Sequence, residues 1–308
     1  MRSGPSPAMA AEAGNRGSAL RAPLTDGRLH LNEGPIDLIV EAFGERAEIE
    51  AAYDQAWARF PAILPELVRE LAILRRPMGE ALPPLAGPVA RRMAAAVWPY
   101  RRRFITPMAA VAGAVAEEVL AALTERRRLR RAYVNDGGDI ALFLAPGERL
   151  TAGIVGNVCL PAIDGRAEIR AESPVRGIAT SGWRGRSFSL GIADAVTVLA
   201  GRAAEADAAA TMIANAVDVD HPAIERRPAK SLDPDSDLGD LPVTVAVGAL
   251  PAGTVRAALE AGAARAREFA EAGLIAAAVL LLQGDSRVVT ADGDQGPQAP
   301  FDGRGDLP

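Results

Sequence analysis

The chain of 308 residues is poor in the side chains that carry most enzyme chemistry: one cysteine, two histidines and one lysine. A lone cysteine excludes a disulfide framework. Cys159 sits in the apolar run IVGNVCL and reads as a small buried hydrophobe, because a catalytic thiol needs a basic partner nearby. The histidines, His30 and His221, stand in no zinc-ligand spacing with it. No Gly-rich loop leads into Lys-Ser/Thr, and Lys230 lies in a Pro- and Asp-rich stretch, so a P-loop is excluded. Basic excess is lacking too: the net charge is −5, with only seven Phe, three Trp and three Tyr. That balance argues against a nucleic-acid partner. Long apolar runs are absent; the longest, residues 274–282, falls far short of the roughly 20 residues of a spanning helix. The first residues hold no apolar core of a secretory signal. The expectation is a cytoplasmic protein without a membrane partner.

What is present suffices for a large core: 49% of the residues are apolar and 24% charged. Residues 1–23 and 292–308 are Gly-, Pro- and small-residue-rich and read as disordered tails, leaving residues 24–291 as a single α+β domain. Residues 26–43 form two extended segments around a Gly34-Pro35 turn. Residues 45–74 repeat apolar side chains at helical steps, broken into two helices by Pro61 and Pro65. A Pro-rich link, residues 77–88, leads to a short helix at 89–97. Thr106-Pro107 reads as a hydroxyl cap followed by proline at the first helical position. The helix after it carries one apolar stripe beside many small residues, which permit close approach of another backbone. Past the arginines of 126–131, a run able to bind an anionic ligand but read at Arg126–Arg128 as a solvated helix end, period-two segments predict strands at 132–135, 139–144, 152–155, 167–171 and 193–199. A helix at 203–217, a loop at 221–241, a strand at 243–247, a helix at 254–272 stopped by Gly273, and strands at 274–282 and 287–290 follow.

Three segments carry chemical potential. Asn135-Asp136-Gly137-Gly138-Asp139 lies between two strands, and paired glycines let a ligand approach the backbone; a plain hairpin turn is the simpler reading. Ala179-Thr180-Ser181-Gly182 leaves a short strand with two hydroxyls and flexible amides, a group able to cradle phosphate oxygens, with Arg184 and Arg186 adding charge-assisted contacts. Asp207 and Thr211 lie four apart in a helix, hence on one face. Two hard oxygen donors suit Mg²⁺ that also holds substrate phosphates, although a solvated Asp beside a helical Thr is the blander alternative.

In this order, PMAAVAGAVAEE, NDGGDIAL, GIATSG, GRSFSLGIADAVTV and EADAAATMIAN resemble uncharacterised protein family 0280, a branch of the ApbE-like superfamily that includes the FAD:protein FMN transferases. The resemblance implies an ApbE-like, T-fold-like architecture of mixed sheets packed with helices. It implies Mg²⁺ held by Asp207, Thr211 and a backbone carbonyl near Ala112, with FAD or FMN beside Gly137, Gly138, Asp139, Thr180, Ser181, Gly182 and Arg186. The sequence departs from that pattern at two places. Arg186 stands where the resemblance expects histidine, and arginine cannot act as a base at any working pH. Gly113 stands where a lysine is expected. Asp194 is the substitute base to test, against the simpler reading of a structural strand carboxylate. Three functions follow as expectations: an Mg²⁺-dependent flavin or nucleotide transferase or pyrophosphatase, a non-catalytic flavin- or cofactor-binding protein of the same fold, and an assembly protein whose small-residue helix packs in a homo-oligomer.

Overall fold

The computed structural model describes residues 19–154, 165–290, 293–295 and 306–307. Cys159 and most of both expected tails lie outside them. In chain order come β1 (Leu20–Pro23), β2 (Leu29–Glu33), β3 (Ile36–Gly44), α1 (Arg46–Arg59), α2 (Ile63–Leu74), α3 (Pro88–Val97) and α4 (Val111–Thr124). Next are β4 (Leu129–Asp136), β5 (Asp139–Leu144), β6 (Arg149–Ile154), β7 (Gly165–Arg170), β8 (Gly177–Ser181), β9 (Ala195–Ala200) and α5 (Ala203–Ala214). The chain continues through β10 (Ile224–Pro228), α6 (Ala229–Leu232), β11 (Pro242–Val247), α7 (Ala252–Glu271), β12 (Ala277–Leu282), β13 (Asp285–Thr290), β14 (Gly293–Gln295) and β15 (Asp306–Leu307).

Ten strands form one sheet in the order β1-β2-β3-β4-β5-β8-β9-β12-β13-β14, each neighbouring pair antiparallel. Side chains alternate across it. On β9, Val196, Val198 and Ala200 enter the core beneath the helices, and Leu199 joins a second core on the outer face. That outer core is closed by the β6–β7 hairpin through Ala152, Ala167 and Ile169. On the inner face α4 and α5 cross each other and lie against β4, β5, β8 and β9, while α7 covers β12 and β13. The result is an α+β fold, as expected.

Several expectations are corrected. Residues 20–23, assigned to the tail, pair with β2 as an edge strand; all four are exposed, so no apolar alternation signals them. Strands β14 and β15 lie within the expected C-terminal tail, β14 against β13 and β15 against β7. The expected loop at 221–241 holds β10, paired with β11 in a separate ribbon. Pro65 does not break the helix, because it falls in the first turn of α2, where a missing N–H is tolerated; Pro61 lies in the short 3-10 turn that separates α1 from α2. Thr106 does not cap a helix. Its hydroxyl donates to Asp237, and a 3-10 turn at Pro107–Ala110 precedes α4. Pro107–Thr124 is long and apolar enough to cross a membrane, yet α4 packs against α1, α3, α5, β4 and β5. Its small-residue stripe is therefore used within the chain.

One end of the large sheet gathers the functional motifs. The register Leu38↔Asp136 places the start of β3 beside the β4–β5 turn. Ile140↔Ile178 and Ser181↔Val196 bring the end of β8 and the start of β9 to the same end.

Candidate functional site

The placement of α5 depends on two glycines. A Cβ at Gly113 would lie 2.4 Å from the Ala203 carbonyl oxygen, and one at Gly177 would lie 2.2 Å from the Ala203 nitrogen. The first residue of α5 is thus wedged between α4 and β8, closer than any side chain allows. That crossing explains Gly113: a lysine there would drive the two helices apart.

With α5 so fixed, nine of its twelve residues are buried, and the others are Glu205, Asp207 and Thr211. Asp207 and Thr211 share a face one turn apart, as the spacing predicts. They form a half-buried polar strip on a helix whose other residues, Glu205 apart, are apolar. Asp207 also reaches the start of α4. Its Oδ2 accepts the Gly113 N–H at 3.1 Å, and the Ala112 N–H faces the same carboxylate. The contact between Ala112 and Asp207 is thus made by the amide of Ala112. In return, Glu117 on α4 accepts the Ala204 N–H at 2.9 Å. Each helix supplies a carboxylate to unsatisfied first-turn amides of the other.

Asp207 has acidic company. Asp136 ends β4 and Asp139 opens β5; they pair across the hairpin and face the helix side. The hairpin turn holds Gly137 at φ +63° and Gly138 at φ +119°, a conformation that suits glycine. The Gly138 N–H donates to the Asn135 side chain at 2.8 Å. Burial pushes the Asp136 carboxyl up to about 7, opposed by the hydrogen bond from the Asp37 backbone N–H and by Arg186, with the Asp37 carboxylate adding least to the rise. Asp207 is likewise pushed up to about 7 by burial, the α4 amides opposing and Asp136 adding to it. Asp139 is pushed well above its ordinary range by burial and by Asp207, against a hydrogen bond from the Thr180 N–H at 3.2 Å. Three carboxyls near the same end of the sheet, within electrostatic reach of one another, hold their protons unusually tightly, which is how unneutralised carboxylates behave.

These residues suit a cation that completes its shell elsewhere. Among the described residues no three His, Cys, Asp or Glu side chains converge as a metal set. Mg²⁺ needs fewer, binding through one or two carboxylates, a hydroxyl, water and phosphate oxygens. Asp207 and Thr211 fit that demand.

The remaining motif residues divide. The Thr180 hydroxyl lies 2.9 Å from that of Thr197, so its side chain is tied into the sheet. Ser181 is half-buried at the strand end. Gly182 is forced, since a Cβ there would meet the Asp194 carbonyl oxygen at 2.5 Å. Arg186 is 72% exposed, 3.9 Å from the Asp37 carboxylate. It lies over Gly137, its Nη1 being 3.8 Å from where a Cβ would stand. Asp194 takes the structural reading. Its Oδ1 accepts from Arg184 Nε at 2.7 Å and Trp183 Nε1 at 3.3 Å, and its Oδ2 accepts the Gln283 N–H at 2.6 Å. These bonds pin the loop after β8 to the β12–β13 turn, and such a carboxylate is poorly placed to serve as a base. Asn215 similarly holds the Leu190 N–H at 2.9 Å.

Sequence reading missed two features. Asp136 looked like a turn residue. His30 looked isolated, yet its Nε2 lies 2.5 Å from Asp37 Oδ1. The signal was present: the β2–β3 hairpin about Gly34 puts residues 30 and 37 diagonally across one face.

Comparison with known proteins agrees with the motif order. Proteins carrying the UPF0280 designation match at 38% identity, one from Methanopyrus kandleri over 44% of this chain and 51% of its own length. Another, from Methanothrix thermoacetophila, matches over 44% of this chain and 54% of its own length. The chain spans about half the length of the curated relatives it matches. Among solved structures, the apo flavinyl transferase ApbE of Pseudomonas stutzeri aligns over 89% of this chain and 94% of that one at 11% identity and TM-score 0.42. The ApbE protein of Thermotoga maritima aligns over 89% and 97% at 12% identity and TM-score 0.36. The family model described as AbpE bacteria matches residues 21–288, and the chain belongs to that family.

Proposed function

We propose that this protein binds a flavin nucleotide, FAD or FMN, or a related nucleotide through Mg²⁺ held by Asp207 and Thr211, and acts as a transferase or pyrophosphatase on it. The observation that carries the reading is the polar strip on α5: two hard oxygen donors with solvent contact in a helix that is otherwise buried apart from Glu205 in its first turn. Asp136 and Asp139 stand nearby with raised proton affinity. The resemblance of the motifs to those of the FAD:protein FMN transferases suggests the flavin.

The chain's own residues divide the work. Gly137 and Gly138, with no side chains, leave room for a phosphate above the hairpin. Ser181 and the Gly182 amide offer neutral donors, and the exposed guanidinium of Arg186 offers a charge-assisted contact to a phosphate oxygen. Asp139, held by the Thr180 amide, fixes the hairpin against β8. Mg²⁺ at Asp207 and Thr211 would offset negative charge on the pyrophosphate and on the oxygen that leaves from it.

The test is incubation with FAD and Mg²⁺, following AMP release by chromatography, flavin attachment to protein hydroxyls by mass spectrometry, and binding by quenching of flavin fluorescence. Mg²⁺-dependent AMP release that is lost in Asp207→Asn supports the enzyme. Saturable binding without turnover selects the non-catalytic binder of the same fold. Absence of saturable binding with or without Mg²⁺ overturns the reading.

A further inference from the structure

The polar chemistry at the sheet end does not stop at the carboxyls on the inner face. Asp37 is the second residue of β3, and its backbone N–H donates to the Asp136 carboxylate. Its own side chain points to the outer face, where Oδ1 meets His30 Nε2 at 2.5 Å and Oδ2 faces Arg186 Nη2 at 3.9 Å. One aspartate therefore joins the inner acidic group, the exposed arginine and a histidine. Around His30 the surroundings are spare. Its register partners are Ile39 on β3 and Ala22 on β1, and the ionisable residues sharing its face of β3 are Asp37 and Glu41. Imidazole and carboxylate are each about a third exposed, so solvent and a ligand both have access.

We propose that the ligand site continues around the sheet end onto the outer face, where His30, oriented by Asp37, is its proton-exchanging group. A carboxylate accepts hydrogen bonds and cannot donate them, so Nε2 is the nitrogen that carries the proton. The Nδ1 lone pair then has no hydrogen-bond partner among the described residues. A hydroxyl or water of the bound complex gives its proton to Nδ1: the O–H bond breaks, its electron pair stays on oxygen, and the N–H bond forms. The imidazolium that results is held by the Asp37 carboxylate, an arrangement of base and orienting acid that serves proton transfer on many folds. Arg186 stays charged throughout and offers a contact to an anionic part of the ligand on the path from Asp207 to His30.

This inference rests on the nucleotide-binding reading above, and the experiment separates the two. The chain has only two histidines, so its imidazole ¹⁵N spectrum contains two sets of signals. His221, whose Nδ1 accepts the Ala223 N–H at 3.1 Å in the segment before β10, is the internal control. Titration with FAD and Mg²⁺ is expected to shift the His30 signals along the same saturation curve as flavin fluorescence, with those of His221 unmoved. Saturable binding that leaves His30 unmoved overturns the proposal and spares the nucleotide reading; no saturable binding overturns both. In His30→Gln, which sits at a half-exposed position and should fold, turnover is expected to fall about 100-fold with binding changed less than about threefold. Asp37→Asn is expected to shift the His30 tautomer signals and lower turnover about tenfold. A His30→Gln variant that turns over at the wild-type rate overturns the proposal.

Discussion

Replacing Asp136 by Asn should make the protein more stable at pH 8, by a smaller margin at pH 5, and leave it unchanged only below pH 3.8. The Asp136 side chain is 8% exposed, and its carboxyl is pushed from 3.8 up to about 7. Between those values the folded state holds a proton that the unfolded chain releases, so stability falls as pH rises and is lowest above pH 7. At 1.36 kcal/mol for each pKa unit, the ionised carboxylate costs about 4 kcal/mol of folding stability at pH 8. Neighbouring Asp139 and Asp207 share that strain, so about 2 kcal/mol is the expected gain from removing one member. Asparagine keeps an acceptor for the Asp37 N–H and nearly the same shape, so the gain shrinks towards pH 5, where only the unfolded carboxyl is ionised, and vanishes below pH 3.8. Urea unfolding at pH 5 and pH 8 measures both differences, and for a chain of this size 2 kcal/mol corresponds to a Tm rise of about 4 °C. Added Mg²⁺ should recover part of the wild-type loss at pH 8, because a ligand of the folded state stabilises it by mass action. Wild-type stability that is flat or rising from pH 5 to 8, or an Asn variant weaker at pH 8, refutes the account of the acidic group.

Three further outcomes are expected. Gly113→Ala places a Cβ within 2.7 Å of three backbone atoms of α5 and should cost about 2 kcal/mol in urea unfolding, overpacking of about 3 being offset by about 1 of helix propensity; unchanged stability would mean that the helices do not cross so closely. Asp194→Ala strands Arg184 and the Gln283 N–H and should lower stability by about 2 kcal/mol, with saturable flavin binding retained in a folded variant; flavin binding abolished there would return Asp194 to the site. Asp207→Asn keeps an acceptor for the Gly113 amide, so near-normal folding at pH 5 should accompany at least a roughly tenfold loss of Mn²⁺ affinity by electron paramagnetic resonance; unaltered affinity counts against Asp207 as a ligand.

The strands buried on both faces were legible, β5 to the residue, because a strand with a core on each side shows as a short continuous apolar run. Strands β1 and β10 were not, since β1 is wholly exposed and β10 carries Glu, Arg and Pro on a two-stranded ribbon. Such strands are held by their pairing rather than by their side chains. The site followed the same rule. Asp207 and Thr211 are local, four residues apart on a helix, and their common face could be read directly. The role of Asp194 depends on Arg184 and on Gln283, 89 residues away, and only the tertiary structure brings them together. His30 and Asp37 lie between those extremes: seven residues apart, they meet because a tight turn fixes the register.

The reciprocal caps give Asp207 two duties that pull in opposite directions. Amides at the start of α4 stabilise the carboxylate, while burial and Asp136 disfavour it. The balance leaves the carboxyl near 7, so the group is poised between protonated and charged in the range where a cell works. A carboxylate that only capped α4 would gain from staying fully ionised, and Asp136 works against that. An acidic neighbour that weakens a cap makes sense if positive charge arrives from outside the chain. A divalent cation at this place would favour the ionised form of Asp207 without displacing the Gly113 amide, since a carboxylate has lone pairs for both. Cation binding would then tighten the α4–α5 crossing instead of competing with it. The cap and the ligand role are therefore compatible in one residue, and the second carboxylate, on Glu117, keeps α5 fixed from the other side whichever form Asp207 takes.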